Sequence, residues 1–274
     1  MSIGAPRIDF IESIEKIKLQ GFVPSMRYGP TGIGYTLETL MGIRENNYSN
    51  HDFIDIGQFL NRHFELKSQR VNIMDPRRSK PYRINNSMIS LVTQSPHEGL
   101  SNRKLIETYG YPATDGRDTI NLYTTLVCSR YVKGKNVKNM KIERDGNFLH
   151  ILYKEERLSY YDLTRFVKKL ENLVVVRTSV KFERCDCSNP SLHDPLTHSY
   201  HEFFHFNEIH IFTKFDFKKF CALLDKDLVK LDLRMHVPKD VKVHQYKDPT
   251  HDHGTGFRTR FSNIVDLYNN HEII

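Results

Sequence analysis

The four residues Phe64-Glu65-Leu66-Lys67 constrain this chain most, because apolar and polar side chains alternate with the period of an extended strand buried on one face. In that conformation Phe64 and Leu66 enter an apolar interior, and Glu65 and Lys67 stand side by side on the opposite face. Further segments of strand character fall at 51–53, 88–92, 122–127, 173–176, 201–212 and 229–237, and 140–153 reads as a hairpin reversed at Asp145-Gly146. Helical spacing lies between them. Ile8, Ile11, Ile14 and Ile17 recur every third residue in a segment ending near Gly21 and Pro24, and Thr36 is placed to cap a helix that buries Leu37, Leu40 and Met41. The spacing predicts further helices over 160–170, 216–224 and 261–268. The order is mixed rather than a regular alternation of strand and helix, which predicts an α/β protein with a mixed sheet.

With 274 residues and 39% apolar content, the chain can bury one large core or two closely joined ones. Lysine and arginine number 40 against 33 aspartate and glutamate, so the formal charge of +7 favours a polyanionic partner without identifying it. No apolar run approaches the ~20 residues that span a bilayer, and the first ten residues lack the layout of a secretory signal; the expectation is a soluble, cytoplasmic protein. Four cysteines give no disulfide framework. Cys185 and Cys187, followed by His193, His198, His201 and His205, fit none of the usual structural zinc spacings, so a polar connection over 181–197 is the preferred reading.

A carboxylate and an ammonium on one strand face become chemically useful when a second acid approaches. Asp52 or Asp55, on the preceding strand, can join Glu65 to hold a hard divalent cation, which lowers the pKa of a bound water while Lys67 orients that water or draws charge from a phosphate. Acid-x-Lys also occurs at Asp216-Phe217-Lys218 and Asp240-Val241-Lys242, where a helix start and a polar stretch make solvated surface the better reading. The loop Gly29-Pro30-Thr31-Gly32-Ile33-Gly34 lacks the Gly-Lys-Ser/Thr ending of a phosphate-cradling loop.

A second polar constellation is Thr250-His251-Asp252-His253-Gly254-Thr255-Gly256-Phe257-Arg258. Metal binding by His251 and His253, a hydrogen-bonded polar loop, and base reading by histidine and arginine all remain open for it. Arg258 has the fork geometry for guanine edges, at about 1–3 kcal/mol of discrimination per bidentate pair. Arg77-Arg78 and Arg103-Lys104 are basic pairs suited to backbone phosphates or to plain solvent.

Taken together, three stretches resemble the MvaI/BcnI-like family of type II restriction endonucleases, relatives of the MutH repair nickase within the PD-(D/E)XK nuclease fold. They are Thr31-Gly32-Ile33-Gly34-Tyr35-Thr36-Leu37-Glu38, then Glu45-Asn46-Asn47 through Asp52-Phe53 to Glu65-Leu66-Lys67, and finally the stretch 250–258; Ser90-Leu91-Val92-Thr93-Gln94-Ser95-Pro96 is a weaker likeness. The resemblance implies a mixed central sheet flanked by helices, with Asp52, Glu65 and Lys67 as catalytic residues and Glu38 as a helix glutamate beside them. It also implies Mg2+ as cofactor, and a loop of His251, Asp252, His253 and Arg258 that reads bases of double-stranded DNA. The protein would cut a short GC-rich site as a monomer, one strand at a time, beside a cognate methyltransferase that is not a physical partner. A catalytic lobe over about 1–130 and a recognition lobe over about 131–274 complete the expectation.

Two departures from the family pattern matter. The twelve-residue stretch 53–64 separates Asp52 from Glu65 where the family uses a tight turn. The position of Glu45-Asn46-Asn47 favours Asp52 as the metal ligand, whereas strand alternation favours Asp55. Thr93 also stands where some relatives carry a histidine. The competing readings are a MutH-like nickase, an inactive DNA-binding module sensing methylated bases, and a zinc-stabilised RNA nuclease.

Overall fold

A computed structural model describes residues 5–44, 51–84, 87–114, 116–184, 200–238, 251–252 and 255–274, with 251–252 described as backbone. The chain forms two compact units, Met1–Ser87 with Lys169–Phe215 and Tyr268–Ile274, and Met88–Lys168 with Asp216–Leu267. They interleave along the sequence instead of dividing once near residue 130, because late strands return to pair with the N-terminal ones.

In the first unit the sheet order is Arg7–Ile8, Phe53–Asp55, Arg62–Met74, Asn172–Arg184, Tyr200–Phe215, Tyr268–Ile273. Asn172–Arg184 runs parallel to Arg62–Met74 and antiparallel to Tyr200–Phe215, so the sheet is mixed. Its apolar face presents Leu66, Val174, Val176, Phe204 and Ile211 to the same buried cluster as Ile14 and Ile17 of helix Phe10–Leu19 and Ile33 and Leu37 of helix Gly32–Leu40. Asp9 caps the first helix by accepting from the Glu12 N–H. The second begins earlier than its sequence predicts, with Thr31 at the cap and half of the glycine loop already helical. Thr36 lies inside this helix, buried, where its hydroxyl accepts from the Met26 N–H instead of capping. Gly32 is required there, since a Cβ would fall 2.1 Å from the Arg27 carbonyl oxygen.

The second unit carries a six-stranded sheet, Met88–Thr93, Gly256–Arg260, Val229–Pro238, Thr119–Leu126, Tyr111–Pro112, with His251–Asp252 pairing Val229–Pro238. A four-stranded sheet joins Met140–Asp145, Phe148–Tyr153, Glu156–Asp162 and Glu98–Gly99. The expected turn sits at Gly146, with φ +60°. The helix predicted over 160–170 is half strand: Tyr160 pairs with His150 and Glu98, and helical turns start after Asp162, which accepts from the Thr164 N–H. The segment 261–268 likewise holds just the helix Phe261–Ile264 and a 3-10 turn Val265–Leu267 before strand Tyr268–Ile273. In both places strand pairing outweighs the local period. Among the described residues no helix is long and apolar enough to cross a membrane.

Phe257 anchors the second core, with its ring 4.9 Å from that of Phe166, 5.6 Å from Tyr161 and 5.8 Å from Phe220. Phe257→Ala is expected to cost about 3–5 kcal/mol in urea unfolding; a loss below about 1 kcal/mol would show that the cluster does not hold this sheet.

Candidate active site

Strand Arg62–Met74 positions the polar pair as its alternation predicts. Phe64 and Leu66 are buried on the apolar side, while Lys67 Nζ donates to Glu65 Oε1 at 2.6 Å. Glu65 is 4% exposed, and its Oε2 is buried without a hydrogen-bond partner. Lys169, in helix Val167–Leu170, places its Nζ 3.9 Å from the same Oε1.

The neighbouring strand decides between the two aspartates. Phe53 pairs with Phe64 and Asp55 with Arg62, so Asp55 shares the face of Phe64, opposite to that of Glu65. Its buried carboxylate is fully engaged by the backbone, accepting from the Phe10 N–H at 2.9 Å and the Phe59 N–H at 2.7 Å. Asp52 stands one residue before this strand, close enough to Glu65 and Lys67 for their charges to act on it. The Asp52 N–H donates to the Phe64 carbonyl, and its carboxylate accepts from the Leu66 N–H at 2.6 Å.

Electrostatics tie these groups together. Burial and then the charge of Glu65 raise the Asp52 pKa above its ordinary value, against the opposing pull of Lys67, the Leu66 N–H and Lys169. For Lys67, burial works against the charge, but Glu65, Asp52 and, more weakly, Glu38 outweigh it, and the pKa is raised. Glu38 reaches this field from helix Gly32–Leu40. Gly34 on that helix lies close, since a Cβ there would sit 3.6 Å from Ser68 Oγ and 3.8 Å from Glu38 Oε1. Tyr268 is buried with its hydroxyl unpartnered, and burial followed by the Glu65 charge pushes its pKa well up. Sequence reasoning missed Lys169 and Tyr268, which lie about a hundred residues or more from Glu65 in the chain and carry no local motif.

The other candidates lie elsewhere. Arg77 is held by Asp75 through Nε at 2.8 Å and NH2 at 2.9 Å, and Arg78 stacks 4.3 Å from the Tyr82 ring centroid. Arg103 and Lys104 both pair with Glu107, at 2.8 and 3.3 Å. Arg258 Nε lies 3.2 Å from Asp232 Oδ2, but this buried nitrogen makes no hydrogen bond; that oxygen accepts from Arg234 Nε at 2.9 Å, while Thr125 donates to Oδ1. His251 and Asp252 pair with His236 and Met235 through the backbone. His253, Glu45-Asn46-Asn47, Cys185 and Cys187 lie outside the described residues. Of the histidines near those cysteines, His201 bonds the Ser25 carbonyl and His205 packs on Phe22. No group of three or more His, Cys, Asp or Glu among the described residues is gathered closely enough to hold a metal by itself.

The first unit thus sets Asp52, Glu65 and Lys67 together beside a mixed sheet. The chain belongs to the MvaI/BcnI restriction endonuclease family, whose model matches residues 11–189 and 192–268; it is thus a type II restriction endonuclease by family, a site-specific deoxyribonuclease. Its fold is similar to that of the restriction endonuclease MvaI in complex with cognate DNA, at 22% identity over 96% of both chains with a TM-score of 0.69. MvaI in the absence of DNA matches at 20% identity over 96% of this chain and 95% of the other, with a TM-score of 0.45. Among curated proteins none matches.

The two aspartates should respond in opposite ways to loss of charge. Because the native Asp52 pKa is raised, the fold loses stability as pH rises from the ordinary aspartate pKa through the native one, and loses none below the ordinary value. Asp52→Asn is therefore expected to raise the melting temperature at neutral pH in EDTA, by about 2–4 °C per kcal/mol relieved, with the gain vanishing in acid. Asp55→Asn is expected to lose about 1–3 kcal/mol, because an amide oxygen cannot serve both backbone donors. Equal melting shifts of one sign would contradict this assignment.

Proposed function

We propose that the protein is a Mg2+-dependent endonuclease that cuts duplex DNA at a short, GC-rich site, one strand at a time and as a monomer, beside a methyltransferase that protects the same site without binding it. The observation that carries this reading is the buried cluster in which Lys67 bonds Glu65 and both feel the charge of Asp52. Asp52 and Glu65 would hold the cation, and Asp55 is left to the backbone. The donor set fits a hard ion: Glu65 Oε2 is a buried oxygen in need of a partner, and Asp52 carries a charge that Glu65 disfavours. Two carboxylates suffice because Mg2+ retains several waters. When bound, such an ion acidifies a water and draws charge from the scissile phosphate.

The protein's own groups divide the remaining work. Lys67 is kept protonated by Glu65, Asp52 and Glu38, so it enters the reaction as a donor to a phosphate oxygen or to the attacking water. Lys169 adds a second positive charge facing Glu65. The unit holding these residues is the catalytic one. In the other, Arg258, with His251, Asp252 and His253, reads base edges, and Asp232 supplies a negative charge 3.2 Å from Arg258 Nε. Arg77, Arg103 and Lys104 meet phosphates only by exchanging their ion pairs with Asp75 and Glu107, whereas Arg78 does so by leaving the Tyr82 ring.

Incubation of the purified protein with Mg2+ and a sequenced plasmid, followed by mapping of the ends, tests the reading. Breaks in both strands at one repeated sequence are expected, with none in EDTA. Lys67→Ala is expected to retain DNA binding and lose on the order of a hundredfold to a thousandfold in rate. Nicks in one strand alone would favour a nickase, and no cleavage with any divalent cation would leave a binding module.

A further inference from the structure

A cavity of about 550 Å³ in the second unit has a lining unlike that of the rest of the basic surface. Arg130, Lys133 and Lys230 converge on it, and no acidic residue lines it. Among the described residues none of these three cations has a carboxylate within ion-pair distance, 4.0 Å. This separates them from Arg77, Arg103 and Lys104, whose charges are already met. Asp227, the acid that feels Arg130, spends its carboxylate on the Cys128 and Ser129 N–H groups and the Ser129 hydroxyl.

The cavity wall is built, not draped. Val132 and Asn139 are tied by the bonds Val132 N–H to the Met140 carbonyl at 2.7 Å and Asn139 N–H to the Val132 carbonyl at 3.0 Å, and Lys133 bridges to Lys138. The Tyr131 hydroxyl donates to the Lys154 carbonyl and to Glu155, which fixes its ring at the cavity. Lys230 pairs across the sheet with Arg258, and Thr125, which also lines the cavity, pairs with Asp232 and donates to it. The cavity therefore opens on the same sheet face as Arg258.

We propose that this cavity is a subsite for backbone phosphodiesters of the duplex, where Arg130, Lys133 and Lys230 grip the strand beside the base pairs that Arg258 reads. The chemistry is that of a phosphate diester: guanidinium and ammonium donors meet its oxygens, and the walls of Tyr131 and Val132 meet the sugar. Such contacts add affinity and register but no sequence preference. The proposal rests on the DNA-cutting reading above and fails separately from it.

The test is equilibrium binding, without divalent cation, to a duplex of roughly 30 base pairs carrying the cleavage site mapped from plasmid, measured against salt concentration. Each of Arg130→Gln, Lys133→Gln and Lys230→Gln is expected to make the slope of log K against log salt shallower by about 1, and the triple variant by more. The ratio of affinities for the mapped site and for a single-pair substitution should stay unchanged. Lys133→Arg with Lys230→Arg should keep the wild-type slope. An unchanged slope in the triple variant, or one that drops equally in the charge-conserving variant, overturns the proposal. So does stabilisation of the wild type by a free deoxynucleoside monophosphate that the triple variant abolishes while its slope is unchanged. A wild type that neither binds nor cuts DNA would instead remove the nuclease reading itself.

Discussion

Two carboxylates, Asp52 and Glu65, brought close enough in a buried setting for their charges to oppose each other are the constraint around which the first unit is arranged. The pairing of Phe53 with Phe64 and of Asp55 with Arg62 commits Asp55 to the face of Phe64, away from Glu65, and a shifted register would expose Phe53 and Phe64. Like charges as close as Asp52 and Glu65 disfavour each other, and the fold answers with two cations and an amide: Lys67 on Glu65 Oε1, Lys169 behind it, and the Leu66 N–H on Asp52. One oxygen, Glu65 Oε2, is left unmatched. A structure selected for stability alone would not bury it so, and this is the pattern expected where function is retained at the expense of the fold.

The same register gives Asp55 an opposite character. Its oxygens serve the first N–H of helix Phe10–Leu19 and the turn at Phe59, so one aspartate builds the scaffold while its neighbour three residues away is strained by it. Strand alternation applied to each segment separately favours Asp55 over Asp52. Pairing between strands distinguishes them, and pairing is a property of the register set by residues 56–61, where Leu60 and Asn61 adopt positive φ, and not of either strand's own composition.

That difference explains what was legible in the sequence. Periodicity located strand Arg62–Met74, the Asp145-Gly146 hairpin and the helices Phe10–Leu19 and Phe217–Asp225, because each buries one face of a regular period. It misplaced 160–170 and 261–268, where Leu163, Phe166 and Leu170 do turn inward at helical spacing but Tyr160 and Tyr268 are claimed by neighbouring strands. The Glu65-Lys67 pair was visible as a local motif. Lys169 and Tyr268 were not, since nothing in their own surroundings along the chain marks them; they belong to the site through the return of late strands to the first sheet.

Charge was the least informative quantity when counted and the most informative when located. The formal +7 weights Arg103 and Arg130 equally, yet the first is neutralised by Glu107 one helical turn away and the second faces a cavity without an acid. A polyanion gains little from a cation that must first give up a carboxylate, because the exchange returns roughly what it takes. Asp232 shows the complementary case. It accepts a hydrogen bond from Arg234 Nε and lies 3.2 Å from Arg258 Nε, so its charge offsets part of theirs. Cations beside an acid and cations without one therefore share one sheet face, and the placement of Asp232 is what separates them.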